Sequence, residues 1–156
     1  MKHTRHISGT VPAGHMSEMT GVAGMVIACL RHWNRGGAAA ALGLLRDRMG
    51  ETRAGSSFEA LQDLADVLEA GMRRPLRCHT PDCPCVGCDE AAFARFVEEA
   101  AFGTREDALM LASLFVESRG ILSLTDAAER LGLHLHRAAL CKDRQHIPDP
   151  VSQTRH

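Results

Sequence analysis

Four of the six cysteines fall in one short run, Cys78-His79-Thr80-Pro81-Asp82-Cys83-Pro84-Cys85-Val86-Gly87-Cys88. Thiolates and imidazoles are the soft side chains that hold a tetrahedral ion. Zn2+ accepts four thiolates, or three thiolates and an imidazole, as a structural set. Turns at Pro81, Pro84 and Gly87 would let neighbouring side chains converge from a short loop. The expected ligands are Cys78, Cys83, Cys85 and Cys88, with His79 in reserve. A site of His79, Cys83, Cys85 and one further group is the variant, because adjacent Cys78 and His79 seldom both reach one ion. Four ligands leave no open coordination position, which points to a scaffold or a sensor and away from a catalytic centre. An iron-sulfur cluster could use the same thiolates, although the spacing matches neither common ferredoxin pattern. Haem held through Cys83-Pro84 or His79, and a redox disulfide or free thiols, are the other readings of the run.

The remaining reactive side chains read more plainly. Cys29 lies on an apolar helical face and reads as a small core residue. Cys141 stands alone as a thiol. His134 and His136 diverge on a helix and read as a solvated pair. His3, His6 and His15 fall in a polar N-terminal stretch, and Arg73, Arg74 and Arg77 read as cations at a helix C-terminus. No Gly-rich phosphate loop, G-x-S-x-G elbow or H-E-x-x-H pair occurs, so the chain is not expected to be an enzyme.

The elements that must carry these groups are helical. Ala, Leu, Val and Met supply the apolar content, there is no Tyr, and aromatic residues make up 4% of the 156, a composition that disfavours an all-β fold. Helical spacing of Val22, Val26, Cys29, Leu30 and Trp33 predicts a first helix broken at Gly36-Gly37. Residues 38–49 form a second, stopped by Gly50. Ser56-Ser57-Phe58-Glu59 reads as a capping box opening a third helix that runs toward Pro75. The cysteine run, without helical period, is a loop. Asp89 caps a fourth helix with Phe93, Phe96, Val97 and Ala100 on one face and Gly103 at its end. Thr104 caps a fifth, over 108–118, dense enough in apolar residues to be central. Thr125 caps a short sixth that Gly132 closes, and 133–140 reads as helix.

The segment 124–133, Leu-Thr-Asp-Ala-Ala-Glu-Arg-Leu-Gly-Leu, resembles the first helix and turn of helix-turn-helix DNA-binding proteins. Ala128 stands at the helix crossing and Gly132 at the turn. The resemblance implies a DNA-binding regulator with Arg137 and Lys142 as its nucleic-acid contacts. The pattern departs after the turn, where His134 replaces the usual cap. The net charge of -1 also supplies no overall attraction to nucleic acid or an anionic membrane.

These observations predict an all-α single compact domain of five to six short helices, with a Cys-rich metal-binding loop between the third and fourth. Residues 1–20 read as a mobile arm, 21–145 as the helical domain with its knuckle at 77–89, and 146–156 as a frayed tail. No apolar run is long enough to span a membrane and no export signal is evident, so a cytoplasmic location is expected. The function expected is that of a small zinc-binding accessory or regulatory protein working through a protein partner.

Overall fold

A computed structural model describes residues 11–145. His3, His6 and the tail at 146–156 lie outside the described residues. Five α-helices dominate: α1 (Gly21–Met49), α2 (Glu51–Gly71), α3 (Cys88–Phe102), α4 (Arg105–Ala112) and α5 (Ile121–Gln145). A two-stranded antiparallel ribbon joins β1 (Pro12–His15) to β2 (Cys85–Gly87). The all-α class stands, but three of the helices are long.

α1 bends where the two glycines predict a break. Gly36 and Gly37 leave helical backbone geometry, and Gly37, at φ 67° and ψ -158°, occupies a region essentially reserved for residues without a Cβ. Thr20 caps α1 by accepting from the Ala23 N–H at 3.1 Å, and its hydroxyl also bonds the Glu98 carboxylate of α3.

Several boundaries differ from the sequence reading. Residues 11–20 are not a featureless arm: β1, a 3-10 turn at Met16–Glu18 and the Thr20 cap occupy them. β1 pairs because the cysteine loop offers it open backbone, with Met16 N donating to Pro84 O and Cys88 N to Val11 O. α2 starts at Glu51, five residues before the expected capping box. Ser57 is instead buried inside the helix, its hydroxyl on the Met49 sulfur. α2 then ends at Gly71, because the following residues pair with 115–117 through Arg73 N to Phe115 O and Glu117 N to Gly71 O. Thr104 caps α4 as expected, accepting from Asp107 N at 3.2 Å, but that helix stops at Ala112 and buries only Ala108 and Ala112.

The central helix is α5, which packs on α1, α2, α3 and α4. It buries Leu124, Ala127, Ala128, Leu131 and Leu135. Thr125 is not a cap but lies inside the helix, bonding back to Ile121 O at 2.8 Å. Gly132 makes no turn either. A Cβ built there would stand 2.6 Å from Ala101 Cβ and 3.2 Å from the Val97 carbonyl oxygen, so the glycine marks the closest approach of α5 to α3. The core gathers around Phe93, Phe96 and Phe115, whose ring centroids lie 5.0 to 5.7 Å apart, edge-on and tilted arrangements that favour aromatic pairs.

Candidate functional site

The cysteine loop spans from the end of α2 to the start of α3, and a buried ion pair shapes it. Ala23, Ile27 and Arg31 recur every fourth residue, which places an arginine on the buried face of α1. Glu90 holds the equivalent place on α3, ahead of Phe93 and Val97. Arg31 is 1% exposed and Glu90 is fully buried. They meet through two parallel bonds, Nε to Oε1 at 2.7 Å and Nη2 to Oε2 at 2.9 Å, the bidentate geometry in which guanidinium binds carboxylate best.

Both partners spend their remaining capacity on loop backbone. Arg31 donates through Nη1 to Cys83 O at 2.6 Å and through Nη2 to Cys85 O at 2.5 Å. Glu90 accepts from His79 N at 3.0 Å and from Gly87 N at 2.8 Å. Residues 79 to 87 are therefore pinned at four points. Burial alone would raise the Glu90 carboxyl, but the bonds from Arg31, Gly87 and His79 together outweigh it and hold the group below its ordinary value. The bond to Glu90 raises Arg31 against its own desolvation.

A second clamp holds the loop's entry. Asp89 does not cap α3, whose N-cap is Gly87. It takes two 2.7 Å bonds from Arg74 and one of 2.9 Å from the Arg77 N–H. The Arg74 bond holds its carboxyl below the ordinary range in spite of desolvation. The arginines at 73, 74 and 77 are thus not helix-end cations: Arg73 donates instead to the Ser113 and Val116 carbonyls.

The expected ligands are distributed unevenly. Cys83 Sγ lies 3.7 Å from His79 Nδ1, while His79 Nε2 is buried with no hydrogen-bond partner. Cys78 is half-buried, and burial, reinforced by the Glu90 charge, pushes its thiol up to about 11. Cys85 lies opposite His15 in the ribbon, which brings a histidine from the N-terminal stretch to the loop. Cys88 opens α3 and is exposed. Among the described residues no three Cys, His, Asp or Glu side chains converge as a metal set, so the closed four-thiolate arrangement is not assembled. Of the expected ligands, His79 and Cys83 lie side by side. Their spacing is close to the roughly 3.6 Å edge that Zn–S and Zn–N bond lengths give at tetrahedral angles.

The other candidates lie elsewhere. Cys29 is a core residue as expected, its thiol pushed up to about 12 by burial. Cys141 lies on α5 beside α2, away from the loop. His136 is exposed, set edge-on to Phe102. Arg137 and Lys142 are exposed on the same unbroken α5, and among the described residues no turn at Gly132 sets off a separate helix to present them. The turn that the resemblance places at Gly132 is corrected on that ground. Among the described residues no helix is long and apolar enough to cross a membrane. Comparison with protein-family models, curated proteins and solved structures finds no match.

Proposed function

We propose that the protein is a small cytosolic zinc-binding accessory or regulatory protein acting through contacts with a protein partner, with loop 77–89 as its working part. One observation carries this reading. The buried Arg31–Glu90 pair directs its bonds to the backbone at His79, Cys83, Cys85 and Gly87, and the loop so held sets the Cys83 thiol 3.7 Å from His79 Nδ1. A desolvated ion pair is an expensive way to gain stability. Its use here supports a loop whose shape matters for what its side chains bind. His79 and Cys83 would hold the ion, with Cys78 and Cys85 of the same loop as the candidate further donors. The bound ion would supply a fixed cross-link and an oxidation-sensitive thiolate. An incomplete ligand set suits an accessory role, because a partner's side chain can complete it.

Cobalt titration of the chelator-treated full chain tests this, since thiolate-to-cobalt absorbance reports sulfur ligation. One equivalent is expected, displaced by zinc, with affinity falling at least about tenfold in both Cys83→Ser and His79→Gln. Cys88→Ser is expected to bind as the parent does. No stoichiometric metal, or full binding by Cys83→Ser, overturns the zinc reading. Visible absorbance from an anaerobically prepared sample would put an iron-sulfur cluster in its place.

A further inference from the structure

On the side of the molecule formed by the N-terminal turn of α2 and the last turns of α5, a cleft of about 440 Å³ opens, within the range of small-molecule sites. Its walls follow from helix register. α5 runs antiparallel to α2: Arg130 meets Asp63 at 2.8 Å, while the earlier Ser123 lies by the later Val67 and Ala70. Two turns further along α5, Arg137 therefore reaches the level of Ser56, and Arg144 passes the start of α2. His134, Arg137 and Arg144 lie on one stripe of α5, and Thr52, Arg53 and Ser56 face them from α2.

The charge of this cleft is one-sided. Among the described residues three arginines line it and no acidic side chain does. Among the described residues Arg53, Arg137 and Arg144 meet no carboxylate, and neither do the exposed Arg35 and Arg48 outside the cleft, whereas the exposed Arg46, Arg95, Arg105, Arg119 and Arg130 each pair with one. Three guanidinium groups held around one concavity repel one another unless an anion comes between them. Several planar forks around one cleft suit the several oxygens of a phosphate better than a single carboxylate, which one fork satisfies. The dipole of α2 adds positive potential at the same wall, and the Thr52 and Ser56 hydroxyls offer uncharged donors.

We propose that this cleft binds a small phosphorylated ligand, a phosphomonoester or diphosphate, through Arg53, Arg137 and Arg144. The site is separate from the cysteine loop and does not depend on metal there. Its volume leaves room beyond one inorganic phosphate for an organic remainder toward Leu140.

Calorimetric titration of the full chain with inorganic pyrophosphate tests the proposal, with sulfate at matched ionic strength and a short DNA duplex as comparators. Saturable pyrophosphate binding is expected, accompanied by a rise in melting temperature. Affinity should fall at least about tenfold in Arg137→Gln/Arg144→Gln and again in Arg53→Gln. Arg119→Gln, which removes the same charge outside the cleft, should bind as the parent does. These arginines are exposed, so the variants are expected to keep the parent's unliganded melting temperature. Absence of binding, an equal response to sulfate, or equal weakening by Arg119→Gln overturns the site. So does duplex binding tighter than pyrophosphate and lost in the same variants, which would make this face a nucleic-acid surface.

Discussion

The two ends of α3 are held by opposite kinds of force. At its start, the cysteine loop is fixed by charge: Arg31 and Glu90 at the centre, Arg74 and Asp89 at the rim. Toward its end, α3 meets α5 through missing atoms, where Gly132 lets the Ala101 methyl and the Val97 carbonyl come close. Dispersion and apolar burial hold the second contact and tolerate any solvent condition that leaves the core dry. The first depends on two desolvated charges remaining paired. A close-packed contact fixes where helices lie, whereas a polar hub can fix a stretch of chain with no helical or strand periodicity of its own. The loop needs the second kind of support because it has no apolar face to bury apart from Val86.

The largest effect is expected from breaking the hub on one side only. Arg31→Met leaves a buried carboxylate and Glu90→Gln a buried guanidinium, and either should cost about 3–5 kcal/mol in denaturant unfolding. The double variant Arg31→Met/Glu90→Leu sharpens the comparison. Global stability should largely return, because apolar replacement of a buried pair is often neutral or better. Amide exchange at His79 and Gly87 should nevertheless stay fast, since their acceptor is gone. Protected amides there in the double variant would show that the loop is held by something other than the pair.

At the other end Gly132→Ala sets two magnitudes against each other. Alanine gains about 1 kcal/mol of helix propensity over glycine, while overpacking against Ala101 costs about 1–3 kcal/mol. Net destabilisation of up to about 2 kcal/mol is expected, with Ala101→Gly restoring part of it. A stabilised Gly132→Ala would mean that α5 can shift away from α3 at little cost, and that the contact is not the tight one the geometry shows.

How much of this was legible in the sequence follows the same division. Apolar spacing located the helices, the glycine break in α1 and the Phe93, Phe96, Val97 face, because those features depend on local periodicity. Gly132 was misread, since a glycine before a leucine signals a turn locally and only the neighbouring helix shows that it is a crossing. β1 escaped notice because Pro12–His15 has no strand alternation, and its pairing is supplied by loop backbone far along the chain. The hub had a signal that went unused. Arg31 continues the stripe Ala23, Ile27, and Glu90 precedes Phe93 and Val97 on theirs, so opposite charges stood on two core faces. The cysteines drew the chemical reading toward a four-thiolate site, and the reading lacked the backbone constraints that keep Cys88 at the surface and Cys78 half-buried.

The smallest effect separates the two ends by pH. Asp89 and Glu90 have folded-state carboxyls held below their ordinary values, so the stability they contribute is present above the unfolded value and lost as pH falls through the folded one. The Gly132 contact is made with Ala101 and Val97, neither of which titrates. Acidification should therefore release the loop first, read as faster exchange at the Arg77 and Gly87 amides while α5 amides near Gly132 stay protected. Arg74→Gln should bring that release at a higher pH for the Arg77 amide, because Asp89 loses the partner that depresses it. Its cost to global stability should be only about 0.5–1 kcal/mol, since Arg74 is 60% exposed and its pair is partly screened. If both ends instead open together on acidification, the hub and the helix crossing belong to one cooperative unit, and the loop cannot be remodelled without unfolding α3.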